Sequence, residues 1–302
     1  MKKSFALGAA ALALSLGLAG AAQAEDTLKK IKDTGVITEG VRESSGALAF
    51  TLGDGKYTGF HYDVCARIIA DIQKQLGLAK LDVKYQPVTS QNRIPLVQNG
   101  TVDIECGSTT NNAARQKDVA FAPTLYVEEV RIATKKSSGI KGIADLNGKT
   151  VATTTGTTSV QLLRKNKRAA GMDFKELNGK DHSDSFLLLE SGRADAFVMD
   201  GQILAGLISK AQNPADFKIV GEPLSVEPIA IMYRKDDPAF KKAVDDSVRA
   251  MAKSGEVAKL YDKWFMQPIP PGNTRVNLPA SDATKAAWAN PTDKPLEEYA
   301  QP

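Results

Sequence analysis

The chain has 302 residues and a formal net charge of +4, set by 39 lysines and arginines against 35 acidic residues. A balance this close to neutral argues against nucleic-acid or membrane-surface binding. The length exceeds what one compact layer of structure usually holds, so we expect two lobes.

The N-terminus reads as a secretory signal peptide. Lys2 and Lys3 precede an apolar run over residues 5–22, and Ala-Gln-Ala at 22–24 supplies a small-x-small cleavage site. An uncleaved membrane anchor is the alternative, since the run is almost long enough to span a bilayer. No cysteine follows the site, so we expect an unlipidated mature chain that begins at Glu25 with a net charge of +2, because only the two lysines are lost.

Strand and helix patterns alternate through the chain that follows, with no later apolar run long enough to span a membrane. This alternation predicts an α/β architecture with largely parallel sheets. In chain order we predict strand 36–41, helix 63–76, strand 81–88, helix 91–98, strand 102–106, strand 130–133, helix 140–146, strand 150–154, a helix from 157, strand 194–199, a helix from 201, and two helices over 239–263 that break at 254–255. The polar tail after Pro268 should wrap the surface rather than build core.

The two cysteines, Cys65 and Cys106, both lie in apolar stretches. In an oxidising compartment they can pair, and buried free thiols are the alternative. Two cysteines and two histidines give no recognisable zinc spacing, and the GxSxG, HExxH, Walker A and GxGxxG motifs are missing. We therefore expect no cofactor, no metal and no enzymatic activity.

Three predicted strand-to-helix junctions are rich in hydroxyls, amides and arginines: residues 89–93, residues 107–115 and residues 156–159. Arg42 ends the first strand in the same way. In open α/β sheets ligands gather at the carboxyl ends of the strands, where helix N-termini favour anions. The junctions together therefore predict a site for a carboxylate or a phosphate.

Taken singly, each of these residues has a simpler explanation. The hydroxyls at 157–159 can be helix N-caps, and Arg93 and Arg115 can lie on solvated helix faces. Asp200, directly after an apolar strand, suits a helix N-cap and a partner for a ligand cation equally well. His182 alone is more often a surface or capping residue than a catalytic one. Only their joint occurrence at strand ends favours a binding site.

The same segments resemble the polar-amino-acid family of periplasmic binding proteins of ABC transporters, over residues 28 to about 273. Family-level segments are GSTTNNAAR (107–115), GTTS (156–159), ADAFVMD (194–200) and KWF (263–265). Segments similar to the glutamate/aspartate-binding branch are VRESS (41–45), VTSQNRIPLVQNGT (88–101), ECGSTTNN (105–112), KDHSDSF (180–186) and FMQPIPPGN (265–273).

The resemblance implies a two-lobed type II periplasmic binding protein fold, each lobe a mostly parallel sheet flanked by helices. Lobe 1 would take residues 25–124 and 230–302, and lobe 2 residues 130–224. Two crossover hinges would fall near residues 125–129 and 225–229. It also implies a periplasmic monomer that carries L-glutamate or L-aspartate to an inner-membrane ABC permease.

Site roles follow from the resemblance residue by residue. Arg115 would hold the ligand α-carboxylate bidentately, helped by Thr110 and the Thr158 amide. Asp200 would take the α-ammonium, with Ser108 and Thr110 as further acceptors.

The side-chain carboxylate would meet a second group of residues: Arg42, Ser90, Arg93 and His182. Thr155 is included as a ligand-binding residue from a segment, 154–155, that varies in the family. Three arginines against one aspartate would slightly over-neutralise a dicarboxylate amino acid.

Two rival functions share this fold. One is an enzyme, since a periplasmic dehydratase and domains of lytic transglycosylases are similar in architecture; turnover of acidic substrates would reveal it. The other is a sensory module that presents its ligand to a receptor, which co-purification with a permease would distinguish. An effector domain of a DNA-binding regulator is excluded by the signal peptide and the lack of a helix-turn-helix candidate.

Overall fold

The computed structural model describes residues 26–299. The predicted signal peptide, residues 1–24, and the predicted first mature residue Glu25 lie outside this range. No helix within it is both long enough and apolar enough to cross a bilayer.

Strands and helices alternate along the described chain. The strands are β1 (Val36–Val41), β2 (Ser44–Ser45), β3 (Ala49–Gly53), β4 (Lys56–Thr58), β5 (Asp82–Pro87), β6 (Ile104–Glu105), β7 (Val119–Phe121), β8 (Tyr126–Lys135), β9 (Thr150–Thr154), β10 (Lys175–Gly179), β11 (Ala196–Asp200), β12 (Phe217–Ile229) and β13 (Met232–Arg234). The α-helices are α1 (Thr27–Thr34), α2 (Phe60–Gln75), α3 (Arg93–Gln98), α4 (Thr158–Ala170), α5 (His182–Glu190), α6 (Gly201–Ile208), α7 (Pro238–Ser254), α8 (Glu256–Tyr261) and α9 (Asp282–Ala289).

Two five-stranded sheets carry the fold. The first has the order β5-β1-β6-β13-β7 and the second the order β10-β9-β11-β8-β12. In each sheet the fourth strand, β13 or β8, is antiparallel to both of its neighbours, and the other four strands run in one direction. Each sheet packs apolar side chains on both faces in clusters of its own. The predicted two-lobed α/β fold with mostly parallel sheets is confirmed.

The element boundaries follow from local chemistry. Asp237 caps α7 by accepting from the Phe240 amide, and Pro238 occupies its first turn, where no hydrogen-bond donor is needed. Gly255, in the left-handed region at φ 76°, ends α7 and opens α8, which confirms the predicted break at this point. The strands 36–41 and 150–154 were predicted to the residue.

Two long strands connect the sheets. β8 and β12 form an antiparallel ladder whose register pairs Ile229 with Tyr126 and continues to Phe217 with Lys135. At one end this ladder meets the first sheet, because Thr110 and Ile229 form a bridge and the chain then enters β13. The chain therefore passes between the sheets twice, along one two-stranded ribbon.

A disulfide joins Cys65 on α2 to Cys106 directly after β6. The alternative of two buried free thiols is thereby removed. Because the bridge fastens α2 to the end of a strand that leads into the 107–115 junction, it anchors that junction in the first sheet.

The prediction for the tail is wrong in part. The tail wraps the surface, yet it also forms α9, in which Thr284 is fully buried and Ala287 nearly so. Thr284 Oγ1 accepts a hydrogen bond from the Val127 amide at 3.0 Å, and Trp288 Nε1 donates to the Leu125 carbonyl at 2.7 Å. The tail is thus fastened to the start of β8.

Candidate binding site

Three arginines are buried together where strands of the first sheet end. Arg42 follows β1, Arg93 opens α3 after β5, and Arg115 lies in a 3₁₀ turn after β6. Their exposed fractions are 0%, 2% and 9%. The alternative that Arg93 and Arg115 lie on solvated helix faces is therefore wrong. Three guanidinium groups at neighbouring strand ends form a site for anions.

Arg42 reaches across to the second sheet. Its Nη2 donates to Ser90 Oγ at 3.1 Å and to Asp181 Oδ1 at 3.0 Å, and it lies 3.0 Å from His182 Nε2. Its Nε and Nη1 have no hydrogen-bond partner among the described residues. A carboxylate is the natural acceptor for such paired donors.

Arg93 and Arg115 bind only backbone carbonyls within the described chain. Arg93 Nη1 donates to the Ser108 carbonyl at 3.1 Å, while Arg115 donates to the carbonyls of Thr110 at 2.8 Å and Gly156 at 3.3 Å. Burial, and then the charges of Arg115 and Arg42, lower the pKa of Arg93 well below its usual value. A negatively charged group of a ligand would offset both the cost of burial and the repulsion between the arginines.

His182 is neutral and its tautomer follows from its neighbours. Burial, and then the charge of Arg42, lower its pKa to about 3. Because Arg42 Nη2 can only donate, His182 Nε2 must accept, and Nδ1 therefore donates to Thr154 Oγ1 at 3.0 Å. His182 begins α5, buried at the site, so the alternative of a surface residue is wrong.

Asp200 holds the N-cap position of α6, but its carboxylate makes no capping hydrogen bond. Glu128 accepts from the Gly201 amide instead, at 3.1 Å. Burial, and then the carboxylate of Glu227, raise the pKa of Asp200 to about 7, against the opposing charges of Arg93 and Arg115. Of the two roles predicted for Asp200, capping is the one the geometry does not support.

Hydroxyl groups line the space between the two sheets. Thr110 and Thr158 both donate to Glu227 Oε2, at 2.7 and 2.8 Å. Ser108 Oγ lies 2.9 Å from Ser45 Oγ. The hydroxyls of residues 157–159 do not cap α4, since Thr157 makes no capping bond.

Backbone from the two sheets comes into direct contact at Gly156. A Cβ placed there would lie 2.6 Å from the Ser90 carbonyl oxygen, and the φ angle of Gly156 is +82°. A second contact is made by the side chain of Gln202 on α6. Its Oε1 accepts from the Ala47 backbone amide at 3.1 Å, and its Nε2 donates to the Ser45 carbonyl at 3.3 Å. The conformation is therefore closed over the arginines.

A groove of about 470 Å³ opens on the outer side of Arg115. Thr155 lines this groove, with its amide bonded to the Gly179 carbonyl at 3.1 Å. Thr154, one residue earlier, is the hydroxyl that contacts His182. Thr155 thus lies at the mouth, while the other nine predicted site residues lie in the buried interior: Arg42, Ser90, Arg93, Ser108, Thr110, Arg115, Thr158, His182 and Asp200.

Four further residues of the site were missed: Asp181, Gln202, Glu227 and Glu128. Asp181 precedes a predicted site residue, so its charge was a usable signal. Glu227 had no such signal in the hydrophobic pattern, although it lies in the crossover hinge near residues 225–229 that the resemblance implied. The carboxylates of Asp181, Glu227 and Glu128 also mean that three arginines against one aspartate was an incomplete count of the charges.

Metal binding finds no support within residues 26–299. The single group with suitable spacing there is Glu39 with Cys65 and Cys106, and both sulfurs are bonded to each other. A disulfide offers no thiolate to a metal ion.

Comparison with known proteins places this geometry in a family. Residues 37–267 match the bacterial extracellular solute-binding proteins, family 3. The glutamate/aspartate import solute-binding protein of Escherichia coli is 48% identical, covering 95% of this chain and 96% of that protein. The L-glutamate/L-aspartate-binding protein of Pseudomonas aeruginosa is 48% identical, with 90% of each chain covered.

Solved structures agree on the fold. An ancestral arginine-binding protein bound to glutamine has a TM-score of 0.67 and 31% identity, covering 76% of this chain and 98% of its own. A cysteine-binding protein from Campylobacter jejuni has a TM-score of 0.69 at 24% identity, covering 79% and 92%. With a family match over most of its length and relatives at 48% identity, the chain belongs to family 3 of the bacterial extracellular solute-binding proteins.

Proposed function

We propose that this protein binds L-glutamate and L-aspartate in the periplasm and delivers them to an inner-membrane ABC permease. One observation carries the choice of ligand: within the described chain, Arg93 and Arg115 are buried and hydrogen-bonded to carbonyls but to no carboxylate. Two guanidinium groups that lack a carboxylate partner match a ligand with two carboxylates. The relatives named for glutamate and aspartate support the same choice.

The ligand is oriented by opposite charges. Arg115 and the amide of Thr158, at the N-terminus of the 13-residue helix α4, would bind the α-carboxylate. Asp200 would bind the α-ammonium, because its carboxylate is buried without a capping bond. Ser108 and Thr110 supply neighbouring oxygens.

The side-chain carboxylate would lie between Arg93 and Arg42. The unpartnered Nε and Nη1 of Arg42 and the Nε of Arg93 offer donors there, and Ser90 adds a hydroxyl. His182 would orient Arg42 through its accepting Nε2. Glutamine would present an amide NH₂ to this row of donors, so we expect the protein to reject it.

Capture would proceed by closure of two lobes. We propose residues 25–124 and 230–302 as one lobe and 130–224 as the other, with hinges near 125–129 and 225–229. The two separate sheets and the ribbon between them support this division. Cleavage after residue 24 and a monomeric state complete the proposal.

Titration of the refolded, ligand-free mature protein with the twenty L-amino acids tests the function. We expect heat of binding with glutamate and aspartate, and an affinity for glutamine at least about 100-fold weaker, equivalent to about 2.7 kcal/mol. Equal affinities for glutamate and glutamine would contradict the assignment. Hydrolysis or rearrangement of any bound acid would favour an enzyme instead.

A further inference from the structure

Glu227 connects the two halves of the site. Its side chain, on β12, is 1% exposed. Its Oε2 accepts a hydrogen bond from Thr110 Oγ1 at 2.7 Å and another from Thr158 Oγ1 at 2.8 Å. Thr110 comes after a strand of the first sheet, and Thr158 comes after a strand of the second. Oε1 of Glu227 accepts from Ser225 Oγ at 3.1 Å. One carboxylate therefore accepts hydrogen bonds from three hydroxyls.

This arrangement decides what the two threonines can offer a ligand. A hydroxyl has one proton to donate and two lone pairs, whereas an ionised carboxylate can only accept. With their protons directed at Glu227, Thr110 and Thr158 can only accept from a ligand. In an α-amino acid, the donor available at neutral pH beside the α-carboxylate is the α-ammonium.

The charge of Glu227 also reaches the groups that would hold the ligand backbone. Burial lowers the pKa of Arg115, and the charge of Glu227 opposes this shift; burial, and then the charge of Glu227, raise the pKa of Asp200. A negative charge at this place favours a cation beside Asp200. Hydrogen-bond direction and charge therefore point to the same ligand group.

We propose that Glu227 is a positioning residue that makes the site specific for α-amino acids: it turns the hydroxyls of Thr110 and Thr158 into acceptors for the ligand α-ammonium. This inference rests on the proposed function. It predicts that Glu227 separates L-glutamate from (S)-2-hydroxyglutarate, which keeps both carboxylates and the configuration but carries a neutral hydroxyl in place of the ammonium.

The test compares the dissociation constants of these two acids by calorimetry in the wild type and in Glu227→Gln. Glutamine keeps one accepting oxygen and has an NH₂ donor in place of the other, so this variant removes the negative charge and one of the two acceptors that orient the three hydroxyls. We expect the preference for L-glutamate over the hydroxy acid to fall by about tenfold, equivalent to about 1.4 kcal/mol. Glu222→Gln is the matched control, because Glu222 lies on the same strand, β12, but is exposed and outside the proposed hinge; its preference should equal that of the wild type.

Equal weakening of both acids in Glu227→Gln would mean a structural role and would overturn the inference. If that variant fails to fold, Thr110→Val decides, since it removes one acceptor oxygen at nearly constant volume and should lower the same preference. An unchanged preference there would also overturn it. A wild type that binds glutamate while Glu227→Gln shifts both acids equally contradicts only the role of Glu227, whereas a wild type that binds no amino acid contradicts the proposed function as well.

Discussion

Replacing Arg93 by alanine should weaken glutamate binding far more than glutamine binding. Arg93 is 2% exposed and, among residues 26–299, makes one hydrogen bond, to the Ser108 carbonyl, so it would meet the ligand side chain with charge and free donors. Truncating one partner of a buried charge pair typically costs about 2–5 kcal/mol.

We therefore expect a net loss for glutamate of about 3 kcal/mol, or somewhat over 100-fold in the dissociation constant. Glutamine forms no ion pair with Arg93, so its already weak binding should change by less than about tenfold. Arg115→Ala provides the contrast, because glutamate and glutamine present the same α-carboxylate and should lose affinity equally.

Calorimetric titration of both ligands measures these differences. Arg164→Ala is the matched control, since Arg164 lines the outer groove, is bound to Glu176 and lies outside the buried cluster. Its affinities should equal those of the wild type. If Arg93→Ala weakened glutamate and glutamine by the same factor, the assignment of Arg93 to the ligand side chain would be refuted.

Three further predictions concern the whole molecule. Glutamate should reduce the radius of gyration in small-angle scattering, and an unchanged radius at saturation would argue for a preformed site. Replacing Cys65 and Cys106 together by serine should lower the free energy of unfolding in urea by about 4 kcal/mol, because the bridge closes a sequence separation of 41 residues. Closure without ligand raises the pKa of Asp200 to about 7 from an open-form value near 4, so the closed form binds an extra proton between these values. His182 opposes this effect, because a pKa lowered to about 3 on burial favours the open form as the pH falls. The contribution of Asp200 is therefore measured as a difference: the empty Asp200→Asn variant should be more compact than the empty wild type at about pH 7 and equal to it at about pH 4.

The arginines of the site were predictable because each follows a strand. Arg42, Arg93 and Arg115 belong to neighbouring strands whose carboxyl ends meet at one edge, so reading the strands placed the charges together. The hydrophobic periodicity that predicted the strands does not show which side chains bond to each other. Which atoms meet across the cleft was therefore open.

The contacts across the cleft join residues far apart in the chain. Arg42 and Asp181 are separated by 139 residues, and Thr110 and Glu227 by 117. No local pattern fixes such pairs, because they depend on how one lobe is placed against the other. Of β12, which carries Glu227, only the hinge near residues 225–229 was expected, and only from the resemblance, since the burial of the strand is uneven over residues 217–225. Both the contacts across the cleft and the extent of this strand depend on tertiary packing, which local sequence patterns do not show.

Gly156 has a consequence for how sequences with this site can vary. Its neighbours at 2.6–2.7 Å are backbone atoms of Ser90 and Gln91, which cannot rotate away as a side chain could. A methyl group at this position would act as a wedge between the lobes while leaving every ligand-binding side chain in place. In such a variant the ligand could bind to one lobe while the other lobe is kept from completing its contacts. A single added carbon atom would then separate the two steps, so this position is the natural one for engineering a binder that stays open.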